Sequence, residues 1–386
     1  MEISEIITSL GEERELYQNA VAPPIMQTSN FCFNTVEDMR RGLQRESEEP
    51  FYTRGLNPTT EMLRKKMAAL EKTEDALVFA SGSAAVAAAI MSQVGQGDHV
   101  VCVQKPYSWT NKLLNLLLPR FGVEATMVDG KEVFNYKSAI KSNTKILYME
   151  SPNSWTFELQ DIEQVVKIAK DHELITIIDN SYATPLNMTP ADYGVDMMIH
   201  SATKYISGHS DALGGIVCSS KKIIRQIFHG EFMTLGGTIS PYNSWLLLRG
   251  LRTLPIRMQR VAETTEKVVS YLEQNDKVGK IYYPFLKTNP QYELARKQMK
   301  KGAGQFTIQL KTREPAKIEA FCNHLKHFLL ACSWGGYESL IFPAITLYQS
   351  QNYKTGDLDI NMIRFYIGLE DADFLIEDLE KAFEQI

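Results

Sequence analysis

The sequence predicts an α/β protein: a large domain on a mostly parallel sheet covered on both faces, followed by a smaller α+β domain. Three observations carry this. From about residue 57 to 200, short and nearly continuous apolar runs alternate with helix-like segments, the pattern of strands buried on both sides. Near residue 240 the texture changes to long helical material, then to strands and helices of a mixed kind. The 386 residues are enough for two or three domains, each with its own core.

The elements follow in order. Residues 1–50 read as an N-terminal arm, polar and irregular, with APP at Ala22–Pro24 and the charged run RRGLQRESEEP. NPTTEMLRKKMAALEKTE predicts a helix with Asn57 as N-cap and Pro58 at its first position. ALVFAS is a strand, GSAAVAAAIMSQV an alanine-rich helix, HVVCVQ a strand, NKLLNLLLPRFG a helix and KILYME a strand. DIEQVVKIAKDHE is an amphipathic helix, and LITIID and DMMIHS are strands. Residues 51–240 thus form the large domain. The small domain, 241–386, opens with NSWLLLRGLRTLPIRMQRVAETTEKVVSYLEQN, a long helix expected to bend at Pro255. VGKIYY, GQFTIQL, a helix at KIEAFCNHLKHF, LLACSWGG, MIRFYIGL and the helix DADFLIEDLEKAFEQI complete it.

Composition removes several function classes. The chain is 44% hydrophobic and 23% charged, ordinary for a soluble globular protein. A formal charge of −5 argues against nucleic acid as a partner. No apolar run reaches membrane-spanning length, and the acidic start MEISEIITSLGEERE is no signal peptide. Five scattered cysteines without a CxxC pair fit a reducing cytoplasm and suggest neither a metal centre nor a disulfide framework.

Polar residues collect after each strand of the large domain: Ser81-Gly82-Ser83, Tyr107, Glu150 to Ser154, Asp179-Asn180, and His200-Ser201-Ala202-Thr203-Lys204. Open α/β sheets bind ligands beyond the carboxyl ends of their strands, so these groups converge on one site. Taken singly, each has a duller reading: a surface lysine, a turn cap at Asp179, a capped helix start at Ser81, a packing tyrosine. Pyridoxal phosphate asks for all of them. Its aldehyde needs a lysine, Lys204. Its pyridine nitrogen needs a carboxylate, Asp179. Its phosphate needs the N–H groups of Gly82 and Ser83 at a helix start, the hydroxyls of Ser201 and Thr203, and a cation such as Arg54. Its flat ring suits Tyr107. GxGxxG after a strand, GxxxxGK[ST] and HExxH are all absent.

SATKYISGHSDALGG, with YTRGLNPT, DNSYATP, WLLLRGLRTL, SWGGYESLI and IRFYIGLED, resembles the Cys/Met-metabolism (trans-sulfuration) family of pyridoxal-phosphate enzymes. The ordered matches run from about residue 20 to the C-terminus. The resemblance implies the fold-type I, aminotransferase-like architecture. It implies that Lys204 carries the cofactor, Asp179 partners the pyridinium, Tyr107 stacks on the ring, and Gly82, Ser83, Ser201 and Thr203 hold the phosphate. Tyr52 and Arg54 would reach into a neighbouring subunit's site, in a homotetramer built as a dimer of dimers. Ser333 and Arg364 would hold the substrate α-carboxylate.

The implied activity is a C–S lyase acting on cystathionine or a related sulfur amino acid, with Lys204 and Tyr107 carrying protons and β-elimination slightly favoured. Replacement of an activated homoserine's γ-substituent is the first alternative; a non-catalytic, cofactor-binding descendant is the second. The chain departs from the family's ESPxNP, reading ESPNSWTFELQD, so Ser154 and Trp155 replace asparagine and proline. ESPxS and SWGGYESL look like β-lyases, whereas DNSYATP and the lysine motif lean to the γ-acting branch. Cys332, before Ser333, matches neither branch, and YSWTNK puts bulky Trp109 and cationic Lys112 where the family often has YGGTNR.

Overall fold

Seven strands build the sheet of the first of two units: β1 (Asp75–Phe79), β2 (His99–Val103), β3 (Glu124–Val128), β4 (Thr144–Glu150), β5 (Ile175–Asp179), β6 (Met197–His200) and β7 (Gly215–Ser219). Their order is β1-β7-β6-β5-β4-β2-β3. The run from β3 to β6 is parallel, while β7 is antiparallel to both β6 and β1. This computed structural model describes residues 1–348 and 358–386. The first unit comprises Met1–Ser151, Gln160–Ser207 and Asp211–Arg252; the second comprises Pro152–Leu159, Gly208–Ser210 and Thr253–Ile386. The α/β class with a mostly parallel sheet is as the sequence predicts.

Residue chemistry explains these elements. Every residue of β2 and β7 is buried, and β4 shows only Lys145, so they read as unbroken apolar runs. The helix Pro58–Leu70 starts where expected: Asn57 Oδ1 accepts from Thr59 N at 3.0 Å. The stretch expected as one helix at 111–122 instead begins at Ser108 and breaks into a π turn (Leu113–Leu117) and a 3₁₀ turn (Leu118–Phe121). Pro119 has no N–H for a regular helical bond, so the spacing changes before it.

The N-terminal 50 residues hold more structure than expected, including helices Ile3–Thr8 and Val36–Gln44. Buried Lys66 fastens the first of these, donating to the Ile6 and Ile7 carbonyls at 2.9 and 3.3 Å and pairing with Glu12 at 3.2 Å. Glu12 in turn accepts from Arg252 at 2.9 Å.

One helix, Pro241–Gln274, runs through Pro255 without ending there. Its Gly250 lies directly against the turn that follows Lys204: a Cβ there would fall well inside contact distance of the Ser207 and Ile206 carbonyl oxygens. Gly250→Val is therefore expected to push that turn away and lower stability by about 1–3 kcal/mol. A shifted urea midpoint at unchanged m-value would show it.

The second unit has a five-stranded sheet of β8 (Val278–Tyr282), β9 (Gln305–Leu310), β10 (Leu329–Leu330), β11 (Leu340–Pro343) and β12 (Met362–Tyr366). Its order is β10-β11-β12-β9-β8, antiparallel except for β10 with β11. Phe306 and Phe365 stack at 5.4 Å in its core, with Phe321 and Leu379 buried from the helices Pro315–His324 and Ala372–Phe383. The early segment 152–159 is bonded into this unit. Leu159 exchanges two hydrogen bonds with the Gln291 side chain, at 2.9 and 2.8 Å. Among the described residues no helix is long and apolar enough to cross a membrane.

Candidate functional site

The site of the first unit forms where β5 and β6 end. Asp179 closes β5 and pairs in register with Ile199. Ser181 ties the two strand ends together: its N–H donates to Asp179 Oδ1 at 2.9 Å, and its Oγ accepts from the Ser201 N–H at 2.6 Å. Ser201 then faces the start of the helix Gly82–Met91. A Cβ on Gly82 would stand 2.9 Å from both Cβ and Oγ of Ser201, so a side chain at 82 would fill the space between them. Ser81 caps this helix through Ala84 N at 3.1 Å. The first N–H groups of a helix, here those of Gly82 and Ser83, have no acceptor within it, and with the helix dipole they favour an anion.

Lys204 sits in the tight turn after β6, its N–H donating to the Ser201 carbonyl at 3.0 Å. Ala202, Tyr205 and Ile206 are buried and anchor the turn, while Ser201, Thr203 and Lys204 stay partly accessible. Thr203 Oγ1 is engaged with Gly214, accepting from its N–H at 3.1 Å and donating to its carbonyl at 3.3 Å. Burial pushes the Asp179 carboxyl above the usual aspartate value; hydrogen bonds from Ser181 and the charges of His200 and Lys204 pull the other way. Beneath lies Glu71, fully buried, accepting from Asn180 Nδ2 at 2.8 Å and from His200 Nε2 at 2.6 Å.

Tyr107 is 39% exposed, and its N–H donates to Glu150 Oε2 at 2.6 Å. Glu150 is itself held by Gln160, whose Oε1 accepts from the Glu150 N–H at 3.1 Å. Lys112 Nζ lies 4.6 Å over the exposed Trp109 ring. Tyr52 and Arg54 are both exposed and pair with each other, the guanidinium 5.3 Å from the ring centroid. Ser333 and Arg364 belong to the second unit. Arg364 Nη2 donates to the Cys332 carbonyl at 2.7 Å, and burial lowers its pKa to about 10, leaving it cationic at neutral pH.

The first unit thus links Asp179, Ser201 and Lys204 by hydrogen bonds and sets Gly82 against Ser201. Two members escaped the sequence reading. Ser181 had a signal, a hydroxyl two residues after an aspartate, the spacing of a local side-chain turn. Glu71 had none, lying 109 residues from Asn180 and 129 from His200.

The cluster fits pyridoxal phosphate on its own chemistry. A helix start widened by glycine suits a phosphate, a carboxylate at the end of β5 suits a protonated ring nitrogen, and a partly accessible lysine follows β6. Among the described residues no group of three or more His, Cys, Asp or Glu is placed to hold a metal ion.

Comparison with known proteins agrees with this chemistry. The family model described as Cys/Met metabolism PLP-dependent enzyme matches residues 5–384. L-methionine γ-lyase of Treponema denticola is 39% identical over 374 residues, 95% of this chain and 93% of that protein. Cystathionine β-lyase of Lactococcus lactis subsp. cremoris is 34% identical over 370 residues, 95% of this chain and 94% of the other. The crystal structure of metB from Corynebacterium glutamicum superposes with a TM-score of 0.93 at 31% identity, covering 100% of this chain and 98% of that one.

Proposed function

The chain belongs to the Cys/Met-metabolism family of pyridoxal-phosphate-dependent enzymes, and from that premise we propose that it is a carbon–sulfur lyase acting on a sulfur amino acid. One observation carries the reading furthest: Ser181 bonds both Asp179 and Ser201 at the ends of adjacent strands, Lys204 N–H bonds the Ser201 carbonyl, and Gly82 lies against Ser201. Relatives named as methionine and cystathionine lyases support the substrate class.

In this reading Gly82, Ser83, Ser201 and Thr203 hold the phosphate, Asp179 keeps the ring nitrogen protonated, and Tyr107 covers the ring face. Bound pyridoxal phosphate supplies an aldehyde that captures amino groups and a ring that draws electrons from the substrate Cα. Lys204 would hold the cofactor's aldehyde carbon, and with substrate bound its Nζ would take the Cα proton. Lys204 and Tyr107 then move the protons that departure of the sulfur requires. Ser333 and Arg364 hold the substrate carboxylate, Arg364 as a fork. The exposed pair Tyr52 and Arg54 serves a neighbouring subunit's site in a homotetramer, and the enzyme works in the cytoplasm.

The test is product identity. Holoenzyme given cystathionine, and separately methionine, is expected to release a thiol, ammonia and an oxo acid. Pyruvate from cystathionine assigns β-elimination, and 2-oxobutyrate assigns γ-elimination. A new thioether formed only from an activated homoserine plus cysteine would replace the lyase reading with γ-replacement, and inertness toward all of them would end it.

A further inference from the structure

In the second unit, Arg364 lies on β12 directly across from Phe342 on β11. Trp155 comes to the same place from the segment 152–159. The Arg364 Cζ stands 5.4 Å from the Trp155 centroid and 5.3 Å from the Phe342 centroid, and the rings are 5.4 Å apart at 42°. Three nearly equal distances place the guanidinium in the V between two tilted rings. The Cys332 carbonyl takes one N–H of Nη2 at 2.7 Å. A guanidinium has five donors, so this bond leaves most of the fork for a second partner.

Trp155 reaches this position at a backbone cost. Its φ is +68° and that of Phe157 is +49°, both in the left-handed region that bulky residues avoid. Hydrogen bonds hold the strained turn: Asn153 Oδ1 accepts from Thr156 Oγ1 at 3.1 Å and from Glu158 N at 3.0 Å. Proline, the usual family residue here, is locked near φ −65° and cannot adopt Trp155's conformation. The chain therefore maintains a strained turn that sets an indole face against Arg364.

We propose that Trp155 is a positioning residue for Arg364, holding the guanidinium plane, together with Phe342, in the orientation that receives the substrate carboxylate. This rests on the reading of Arg364 as the carboxylate group. A ring face attracts the cation and also removes rotamers, so the fork is ordered before a ligand arrives.

Holoenzyme is titrated with glycine and with glycinamide, which differ in the carboxylate, and binding is followed by the cofactor's absorbance. Trp155→Leu is expected to weaken glycine about five- to tenfold and to leave glycinamide within twofold. Trp155→Phe should stay within about twofold of the parent for both. With the lyase substrate, Trp155→Leu should raise KM about five- to tenfold while kcat falls less than threefold. Phe342→Leu removes the other face, should repeat the selective loss, and decides the matter alone if the Trp155 variant does not fold. Equal losses for glycine and glycinamide, or none, overturn the proposal. Arg364→Ala separates the two readings. If it shows no selective loss of glycine, the carboxylate assignment fails; if it does while both leucine variants bind normally, only the role of Trp155 fails.

Discussion

Replacing Lys204 with alanine is expected to lower turnover by a thousandfold or more, about the upper range for removing a positioned general base. The loss should fall at the top of that range, because the same amine also anchors the cofactor. The fold should tolerate the change. The turn is held by the backbone bond to Ser201 and by buried Ala202, Tyr205 and Ile206, and the Lys204 side chain is partly accessible. Lys204→Arg should be as inactive, since a guanidinium keeps its proton and cannot form the link. Borohydride treatment of the reconstituted parent should tag one peptide containing Lys204, and neither variant should be tagged there. Turnover by Lys204→Ala at a tenth of the parental rate would mean that another group is both base and anchor.

Asp179→Asn should cut kcat/KM by roughly a hundred- to a thousandfold, the scale of losing one electrostatic contact that acts on the reaction's developing charge, and should weaken cofactor binding. Its effect on the empty protein should be opposite in sign. The Asp179 carboxyl has its pKa raised by burial. A carboxyl raised in the folded state contributes stability below its unfolded value of about 3.9, and loses it as pH climbs through the folded value. Above its unfolded range the carboxyl therefore costs the cofactor-free parent stability, and the amide, which does not titrate, removes that cost. Cofactor-free Asp179→Asn should melt no lower than the parent at pH 7 and should lose that advantage near pH 4. A variant that is destabilised at pH 7 without cofactor would show that Asp179 serves the fold rather than a bound cation.

Much of the first unit could be read from residue order, because its central strands are buried on both faces and show as unbroken apolar runs. β3 escaped notice because four of its five residues are not fully buried and its pattern is weak. β7, GIVCS, follows a glycine-rich turn that reads as its continuation, although every residue is buried. The site was legible where chemistry-bearing side chains sit at strand ends, as with Asp179 and Lys204. Groups that act from a distance in sequence, such as Glu71 or Gln291, leave no local pattern. Nor did the segment 152–159 advertise that it packs with residues more than a hundred positions later.

That segment has a consequence for how the protein is made. The chain passes from one unit to the other five times, at Ser151, Leu159, Ser207, Ser210 and Arg252. Gln291, which closes the turn at Leu159, leaves the ribosome 132 residues later, a wait on the order of ten seconds at usual elongation rates. Trp155 waits longer still, for Phe342 and Arg364. A nascent chain arrested between these points would hold an unfinished loop with its indole bare, so translation has to run nearly to the end before the segment can settle.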